Sequence, residues 1–260
     1  MTRRHDEIWS EEAGPAAAPL VVIVHGSMDR SAGMLKLSRR LDDRFRVVRY
    51  DRRGYGRSHP HPGPFDMDGQ VSDLLALIDG RRCVLVGHSY GGNVALATAA
   101  RHPELVAAVA VYESPLSWMP WWPSTTARTL ADADEVGPGE TAERFMRRLI
   151  GDQRWEALPE RTRQVRRDEG QALIGELGDL RARPPWSAER LTLPVAVGVG
   201  ERGAPHHRDG MVRLAELLPD ATLTRLDGAG HAAPVTHADA FVDRLVVPLL
   251  ERAGSPWSEV

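Results

Sequence analysis

The stretch Cys83-Val84-Leu85-Val86-Gly87-His88-Ser89-Tyr90-Gly91-Gly92, followed by Asn93-Val94-Ala95-Leu96-Ala97, decides the fold. It is a β-branched apolar run that breaks on a G-x-S-x-G pattern and continues as a helix of small residues. A strand, turn and helix in this order are the context of a nucleophile elbow, in which a serine occupies a strained turn. Only small neighbours permit such a turn, and Gly87 and Gly91 supply them. The sequence therefore predicts Ser89 as a nucleophile.

Around this stretch, short apolar runs alternate with segments in which apolar residues recur every three or four positions. The predicted strands are residues 20–25, 47–50, 82–86, 106–112, 193–199 and 222–226, and the predicted helices are 34–41, 71–78, 93–100, 211–218 and 240–250. Continuous apolar runs are typical of buried parallel strands joined by right-handed helical crossovers, so the fold class is α/β. Whether residues 2–9 add an edge strand is left open by so short a signal.

Residues 115–186 interrupt the alternation, because they contain helical segments, such as 142–150 and 161–177, and no strand pattern. We predict a core formed by residues 1–114 and 187–260 and a helical cap formed by residues 115–186. The cap would roof the nucleophile, since it follows a strand at the carboxyl edge of the sheet, where ligand clefts form. Trp118, Trp121 and Trp122 are expected either to line a substrate pocket or to anchor the cap. The cap arginines are expected to form a solvated helix face, among them Arg147, Arg148, Arg166 and Arg167.

Composition narrows the classes of partner. The chain has 260 residues, 42% of them hydrophobic, and a formal net charge of −3. Such a chain can bury one large core, and its interspersed charges give no field that would recruit nucleic acid or an anionic membrane, so we expect a small-molecule partner. The lone cysteine, Cys83, cannot form an intramolecular disulfide and suits a reducing compartment. The charged residues 1–7 and the lack of long apolar runs favour a cytoplasmic protein without a signal peptide. The oligomeric state stays open.

Further motifs share the order of a known family. Val24-His25-Gly26-Ser27 follows the first strong strand, Tyr50-Asp51-Arg52-Arg53-Gly54-Tyr55-Gly56-Arg57-Ser58 follows the next, Gly87-His88-Ser89-Tyr90-Gly91-Gly92 forms the elbow, and Asp227-Gly228-Ala229-Gly230-His231 comes near the end. With these motifs the chain resembles the α/β-hydrolase superfamily over nearly its whole length. The resemblance implies an α/β-hydrolase fold with a mostly parallel sheet of eight (or seven) strands flanked by helices, and a helical cap inserted after the sixth strand. It also implies catalysis by a serine, a histidine and an acid, without a cofactor.

The general base is expected to be His231. A serine hydroxyl is nearly unionised at neutral pH and needs a base within hydrogen-bond reach. His231 follows the last predicted strand in a Gly-rich turn and matches the histidine position of the family. His88 is the alternative base, although it should point away from Ser89, and His25 is expected to order the loop near the substrate pocket. The remaining candidates, expected to be exposed or to lie around the site, are His206, His207 and His237. The spacing of the histidines does not indicate a metal site.

The oxyanion hole is expected to use two backbone amides aimed at the developing negative charge. Tyr90 follows the nucleophile at a helix start, where its amide is free and the helix dipole helps. Ser27 follows His25-Gly26 in the loop after the first strong strand. Met28 is the alternative second donor and is expected to border the substrate pocket.

The acid departs from the family pattern. Most members place an aspartate about three residues after the penultimate strand, and Gly203 stands at that position here. Some relatives supply the acid from the end of the preceding strand, where this chain has Glu113. A carboxylate there can reach the far nitrogen of a histidine that lies over the sheet. Glu113 is therefore the expected acid. Glu201, Asp209, a Ser–His dyad, or a role for Glu113 in holding the cap are the alternatives.

Together these residues predict a serine hydrolase, an esterase or lactonase in type, that acts on an ester, lactone or thioester of a moderately hydrophobic small molecule through an acyl-Ser89 intermediate. One alternative is a cofactor-free non-hydrolytic enzyme on the same scaffold, such as a lyase, a C–C bond cleaving enzyme or a cyclase, in which Ser89 and His231 handle protons. A ligand-binding protein without turnover is the other alternative.

Overall fold

The structure is a computed structural model that describes residues 2–5 and 8–254, without the side chains of residues 2–5, 125–127 and 132. The outermost ends of the two predicted core segments, residues 1 and 255–260, lie outside the described residues. One sheet of eight strands runs through the molecule in the order β1-β2-β4-β3-β5-β6-β7-β8. The strands are β1 Thr2–His5, β2 Ile8–Ala13, β3 Leu20–Val24, β4 Arg46–Tyr50, β5 Cys83–His88, β6 Val106–Tyr112, β7 Val195–Gly200 and β8 Ala221–Leu226.

All neighbours from β4 to β8 are parallel, whereas β2 is antiparallel to both β1 and β4. The central strands β3, β5, β6 and β7 are buried along their whole length, which is why they read as unbroken apolar runs in the sequence. The open question at the amino end is answered by a β1–β2 hairpin. β2 extends to Ala13, beyond the range considered from sequence, and its Glu11 and Glu12 form ion pairs with Arg49 and Arg46 of β4.

Helices cover both faces of the sheet and fill the segment between β6 and β7. They are α1 Leu35–Leu41, α2 Met67–Ile78, α3 Tyr90–Arg101, α4 Thr125–Val136, α5 Pro138–Ile150, α6 Asp152–Glu156, α7 Glu160–Asp168, α8 Gly170–Ala182, α9 Pro205–Leu217, α10 Ala233–Thr236, α11 Ala238–Phe241 and α12 Val247–Arg252, with a π-helical segment Val242–Val246 between the last two. One apolar cluster packs α2, α3 and α9 on one face of the sheet, and a second packs α1, α11 and α12 on the other.

Between β6 and β7 lie α4 to α8, in the segment predicted as a cap. A third apolar cluster joins them to the loop after β3, and it includes Met28, Met146 and Trp155. The helix predicted over 161–177 is two helices, because the chain turns at Glu169, whose carboxylate is buried and accepts hydrogen bonds from the Arg30 guanidinium at 2.8 Å and the Gly56 amide at 2.8 Å. The break is thus a polar anchor between the helices that follow β6 and the loops after β3 and β4.

Within the described part of the chain, no helix combines the length and apolar character that crossing a membrane requires.

Candidate active site

Ser89 occupies a strained turn between β5 and α3, with φ 54° and ψ −126°. Its amide donates to the carbonyl of Tyr112 at 2.8 Å, which ties the turn to the neighbouring strand β6. Glycine is required on both sides, because a Cβ on Gly87 would lie 2.5 Å from the Gly91 carbonyl oxygen and a Cβ on Gly91 would lie 2.7 Å from the Val24 carbonyl carbon. The surrounding sheet holds Ser89 in this strained backbone conformation, and such strain is typical of functional sites.

His231 and Glu113 are hydrogen-bonded to each other. His231, in the turn after β8, donates from Nδ1 to Oε2 of Glu113 at 2.8 Å. Glu113 directly follows β6, is fully buried, and has the left-handed backbone value φ 46°, which is costly for a residue other than glycine. Its other oxygen, Oε1, accepts the Gly200 amide at 3.0 Å. Both carboxylate oxygens are therefore satisfied, and the hydrogen bond fixes the imidazole with its Nε2 free to accept a proton.

Gly203 lies against this carboxylate. A Cβ at position 203 would sit 3.1 Å from Cδ of Glu113, closer still to Oε1, and 3.0 Å from the Gly200 carbonyl oxygen. These separations are shorter than ordinary van der Waals contact, which begins near 3.4 Å. The space that a side chain at 203 would need is thus filled by the Glu113 carboxylate, so the two positions exclude each other. Glu201, an alternative acid, is exposed and accepts from the Gly228 amide at 2.7 Å.

The loop after β3, the predicted oxyanion loop, contains Ser27 and lies directly against Ser89. A Cβ on Gly26 would be 2.8 Å from Cβ of Ser89, so only glycine allows this approach. Met28 has φ 56° and is buried, and its carbonyl accepts from Arg166 at 2.7 Å, which pins the loop to α7. Tyr90 begins α3, and the first amides of a helix have no acceptor within it. The loop around Ser27 and the start of α3 therefore flank Ser89.

A buried arginine orders the same loop. Arg52 donates to the carbonyls of His25 at 2.9 Å and Gly26 at 3.1 Å, and its guanidinium pairs at 2.8 Å with Glu176 of α8. Glu176 also accepts from the Tyr55 hydroxyl at 2.7 Å. His25 donates from Nδ1 to the Gly26 carbonyl at 2.7 Å and accepts the Arg52 amide at Nε2. Burial and the Arg52 charge hold the pKa of His25 well below 6.5, so it is neutral near pH 7.

A row of imidazoles surrounds His231. His88 donates from Nε2 to the His231 carbonyl at 2.8 Å, and burial, reinforced by the charge of His231, lowers the pKa of His88 to about 3. On its other side His231 stacks on His207 with ring centroids 5.0 Å apart, and His206 lies 4.5 Å beyond. The Trp122 ring meets both of these edge-on, at 5.0 Å and 5.3 Å. Burial and the neighbouring histidines lower the pKa of His207 well below its usual value.

Ser89 and His231 line one cavity of about 260 Å³. Its apolar wall comes from Met34, Met146, Leu149 and Ile150, and its polar lining includes Ser27, Asp29, Arg154 and Arg166. Burial raises the pKa of Asp29 in this wall. A larger hollow of about 530 Å³, bordered by Lys36 and Arg40, contains none of the predicted catalytic residues.

The lining of this cavity differs from the expectation. His25 and the three tryptophans of 118–122 are not among the lining residues, whereas Met28 is. Trp118 packs edge-on against Trp186 at 5.4 Å, Trp121 is 36% exposed, and Trp122 packs on His206 and His207. The ring contacts of Trp118 and Trp122 are compatible with the second alternative, in which the tryptophans anchor the segment. The ring of His25 is held away from the cavity, because Nδ1 bonds to the Gly26 carbonyl and Nε2 accepts the amide of Arg52, in the loop after β4.

The cavity-lining residues between β6 and β7 were not predicted. They come from α5 and the helices after it: Met146, Leu149, Ile150, Arg154 and Arg166. Arg166, expected on a solvated face, instead points inward and bonds to the oxyanion loop. The sequence predicted a helix in the region of α5 from its apolar spacing. It did not indicate which part of the molecule the apolar face of this helix would contact.

The fold also brings together donors that sequence spacing keeps far apart. Among the described residues, one group of three could hold a metal ion: Glu113, His207 and His231 each offer one ligand atom, and these atoms lie within 4.8 Å of one another. The spacing of histidines along the chain gives no sign of this group, because its members follow three different strands.

Comparison with known proteins identifies the family of this chain. A model described as the alpha/beta hydrolase family matches residues 21–244. A curated relative, the pimeloyl-[acyl-carrier protein] methyl ester esterase of Chromobacterium violaceum, is 32% identical over 245 residues, which cover 90% of this chain and 96% of the relative. A solved thermophilic esterase from Thermogutta terrifontis superposes with a TM-score of 0.72 at 25% identity, covering 91% of this chain and 90% of the other.

The enol-lactonase from Burkholderia xenovorans shares the fold with a TM-score of 0.76 at 24% identity, covering 96% of this chain and the whole of the other. The chain thus shares its overall fold with this structure. The chain belongs to the alpha/beta hydrolase family, has the α/β-hydrolase fold, and is an α/β-fold hydrolase.

Proposed function

We propose that the protein is a serine hydrolase that cleaves a carboxylic ester, lactone or thioester of a moderately hydrophobic small molecule through an acyl-Ser89 intermediate. One observation carries the proposal: Ser89 and His231 line the same cavity, and His231 is hydrogen-bonded through Nδ1 to the buried carboxylate of Glu113 at 2.8 Å. A strained serine, an imidazole with a free nitrogen and a buried orienting carboxylate form the set that acyl transfer requires.

In the first half of the reaction, the Ser89 hydroxyl oxygen adds to the carbonyl carbon while its proton passes to Nε2 of His231. Glu113 stabilises the resulting imidazolium through the Nδ1 hydrogen bond. The amides of Ser27 and Tyr90 donate to the tetrahedral oxyanion, and each such donor is worth about 3 kcal/mol in known hydrolases. His231 then gives the proton to the leaving group, and the carbonyl re-forms as the acyl enzyme.

In the second half, His231 takes a proton from water, which attacks the acyl carbon and releases the acid from Ser89. His88 is a poor candidate for either transfer, because its Nε2 is engaged with the His231 carbonyl and its pKa of about 3 makes it a weak base. Its hydrogen bond instead holds the backbone of the residue that acts as base.

The cavity supports a small acyl group. Its volume of about 260 Å³ corresponds to roughly nine water-sized groups at about 30 Å³ each. Methionine and branched aliphatic side chains form much of its wall, which favours an apolar acyl chain. We propose that residues 115–186 act as a cap over this cavity, since Met146, Leu149 and Ile150 of α5 and Arg166 of α7 belong to its lining.

The test is a panel of p-nitrophenyl esters of increasing acyl length together with simple lactones and thioesters, measured with the full-length protein and with Ser89→Ala. The mass of the protein is recorded after rapid acid quenching. We expect turnover of short esters and an acyl adduct on the peptide that contains Ser89, both absent in Ser89→Ala. Ser187→Ala, the same substitution at a serine outside the cavity, is the matched control and should retain full activity. A wild type that neither acylates nor turns over any member of the panel would refute acyl transfer.

A further inference from the structure

We propose that Glu113, His207 and His231 form a binding site for a divalent transition metal of the Zn²⁺ type, and that a metal bound there switches the enzyme off. The binding part of this inference stands on geometry alone, whereas the inhibitory part rests on the proposed function. The donor set, two imidazoles and one carboxylate, is one that zinc takes in proteins, with a fourth position left for water.

The three donors are already close together and come from separate elements. Glu113 follows β6, His207 lies in the first turn of α9, and His231 follows β8, and their ligand atoms lie within 4.8 Å of one another. Zinc bonds of about 2.0–2.2 Å place neighbouring tetrahedral donors about 3.3–3.6 Å apart. The largest possible separation, 4.8 Å, exceeds this spacing by no more than about 1.5 Å.

His207 is prepared as a ligand. Its Nδ1 is buried and has no hydrogen-bond partner among the residues that the structure describes, which leaves a polar atom whose desolvation is not offset. The ring is also held in place, with His231 on one side at 5.0 Å and the edge of Trp122 at 5.3 Å.

Glu113 is oriented in the way that metal ligands usually are. The Gly200 amide donates to Oε1 at 3.0 Å, and Oε2 faces Nδ1 of His231. Hydrogen bonds that fix a ligating carboxylate in this manner support affinity in known metal sites. The carboxylate is fully buried, so a dication bound to it would lie in a site of low dielectric, where its attraction to an oxygen ligand is strong.

Metal binding at this position removes the base. The cation would replace the proton that lies between Nδ1 of His231 and Oε2 of Glu113, and that proton moves to Nε2, so no proton is lost overall. An imidazole that is bound through Nδ1 and protonated at Nε2 cannot accept the Ser89 proton. The acid and the base of the proposed reaction are consumed together, and removal of the metal restores both. The inhibition should therefore be reversible by a chelator.

Binding is measured first without reference to activity. The full-length protein, treated with EDTA and desalted, is titrated with Co²⁺ while the visible absorption of the bound ion is recorded, and with Zn²⁺ by calorimetry. We expect one equivalent to bind with the intense bands of a four-coordinate site. The His207→Phe variant keeps a ring against His231 and Trp122 but removes the ligand atom. Loss of a residue that merely hydrogen-bonds to a metal ligand weakens affinity by about 10- to 100-fold, so we expect the loss of His207 to weaken binding by at least as much.

His206→Phe is the matched control, since it makes the same change one residue earlier at a ring that also packs on Trp122 but does not belong to the group of three. Inhibition of ester hydrolysis by Zn²⁺ is then expressed relative to the metal-free rate of each variant. We expect wild type and His206→Phe to be inhibited and restored by EDTA, and His207→Phe to resist.

Three results would overturn the inference. They are a wild type that binds no Co²⁺, equal inhibition of wild type and His207→Phe, and resistance in His206→Phe instead of His207→Phe. The two proposals fail in distinguishable ways: Co²⁺ binding by a protein without esterase activity would refute the function alone, whereas turnover without metal binding would refute the metal site alone.

Discussion

Moving the acid from position 113 to position 203 tests the proposed site most directly. Glu113→Ala removes the carboxylate that holds His231, and Gly203→Asp introduces a carboxylate where most relatives of the family carry one. The structure predicts that each single substitution lowers activity. It also predicts that the double variant is more active than Glu113→Ala. Gly203 is not among the described residues with positive φ, so its backbone accepts a side chain, and only the occupied space opposes one.

The magnitudes follow from the geometry. Loss of the orienting acid lowers kcat by about 10⁴-fold in a comparable triad, or about 5.5 kcal/mol at 1.36 kcal/mol per tenfold. In Gly203→Asp the new Cβ would lie 3.1 Å from Cδ of Glu113 and nearer to Oε1, so the carboxylate must move by about 1 Å, which costs about 100-fold. In the double variant the space vacated by Glu113 receives the aspartate, and we expect at least about tenfold recovery over Glu113→Ala, since a partly restored orientation lies between these limits.

The assay is kcat/KM on a short aryl ester for the four proteins, with the free energy of unfolding by urea measured alongside. Gly178→Asp, at a glycine with nothing within 4 Å of its potential Cβ, is the control for adding a carboxylate and should be neutral. Full activity in Gly203→Asp would show that the Glu113 carboxylate does not fill that space. Full activity in Glu113→Ala would refute its role as the acid, and a folded double variant no better than Glu113→Ala would refute the exchange.

Three further predictions follow from the same structure. Because the pKa of His88 is about 3 in the folded state and about 6.5 when unfolded, the unfolded chain binds a proton first on acidification. His88 should therefore cost about 2 kcal/mol of stability at pH 5 relative to pH 7.5, and urea unfolding of His88→Gln should lose that part of the pH dependence. Glu176→Gln leaves the buried Arg52 without its counter-charge and should cost about 3–5 kcal/mol in the same assay, with reduced turnover because Arg52 orders the oxyanion loop. Leu149→Ala should raise KM for an octanoyl ester by about tenfold, with little change for acetyl, whereas Trp121→Ala, outside the cavity lining, should alter neither KM.

The central sheet could be predicted from sequence because its strands are buried on both faces. The run from Val106 to Tyr112 has no exposed residue, so its apolar signal is continuous. The edge behaves differently. β2 ends in Glu11, Glu12 and Ala13, and the acidic residues are compatible with a strand only because arginines of β4 pair with them. Those partners lie more than thirty positions along the chain, and a local pattern cannot contain them.

The site shows the same division. Ser89, His231 and Glu113 follow strand ends, and parallel strands place such positions at one edge, so their meeting could be predicted. The cavity wall could not, because it depends on how α5 packs on the rest of the chain, and the tryptophans expected as pocket residues are not among its lining. For His207 the sequence left two possibilities, an exposed ring or one near the site, because its contact with His231 arises from the position of α9 relative to the turn after β8.

The backbone bond between Ser89 and Tyr112 has a mechanical consequence. Because the amide of Ser89 bonds to Tyr112, the last residue of β6, Ser89 and the adjoining Glu113 are fixed to each other through the central sheet. His231, in contrast, lies in the turn after β8, outside these strands. A local opening of that turn would separate His231 from Ser89 and Glu113 while the sheet stays folded. We therefore expect the temperature of inactivation and the temperature of unfolding to be set by different parts of the structure.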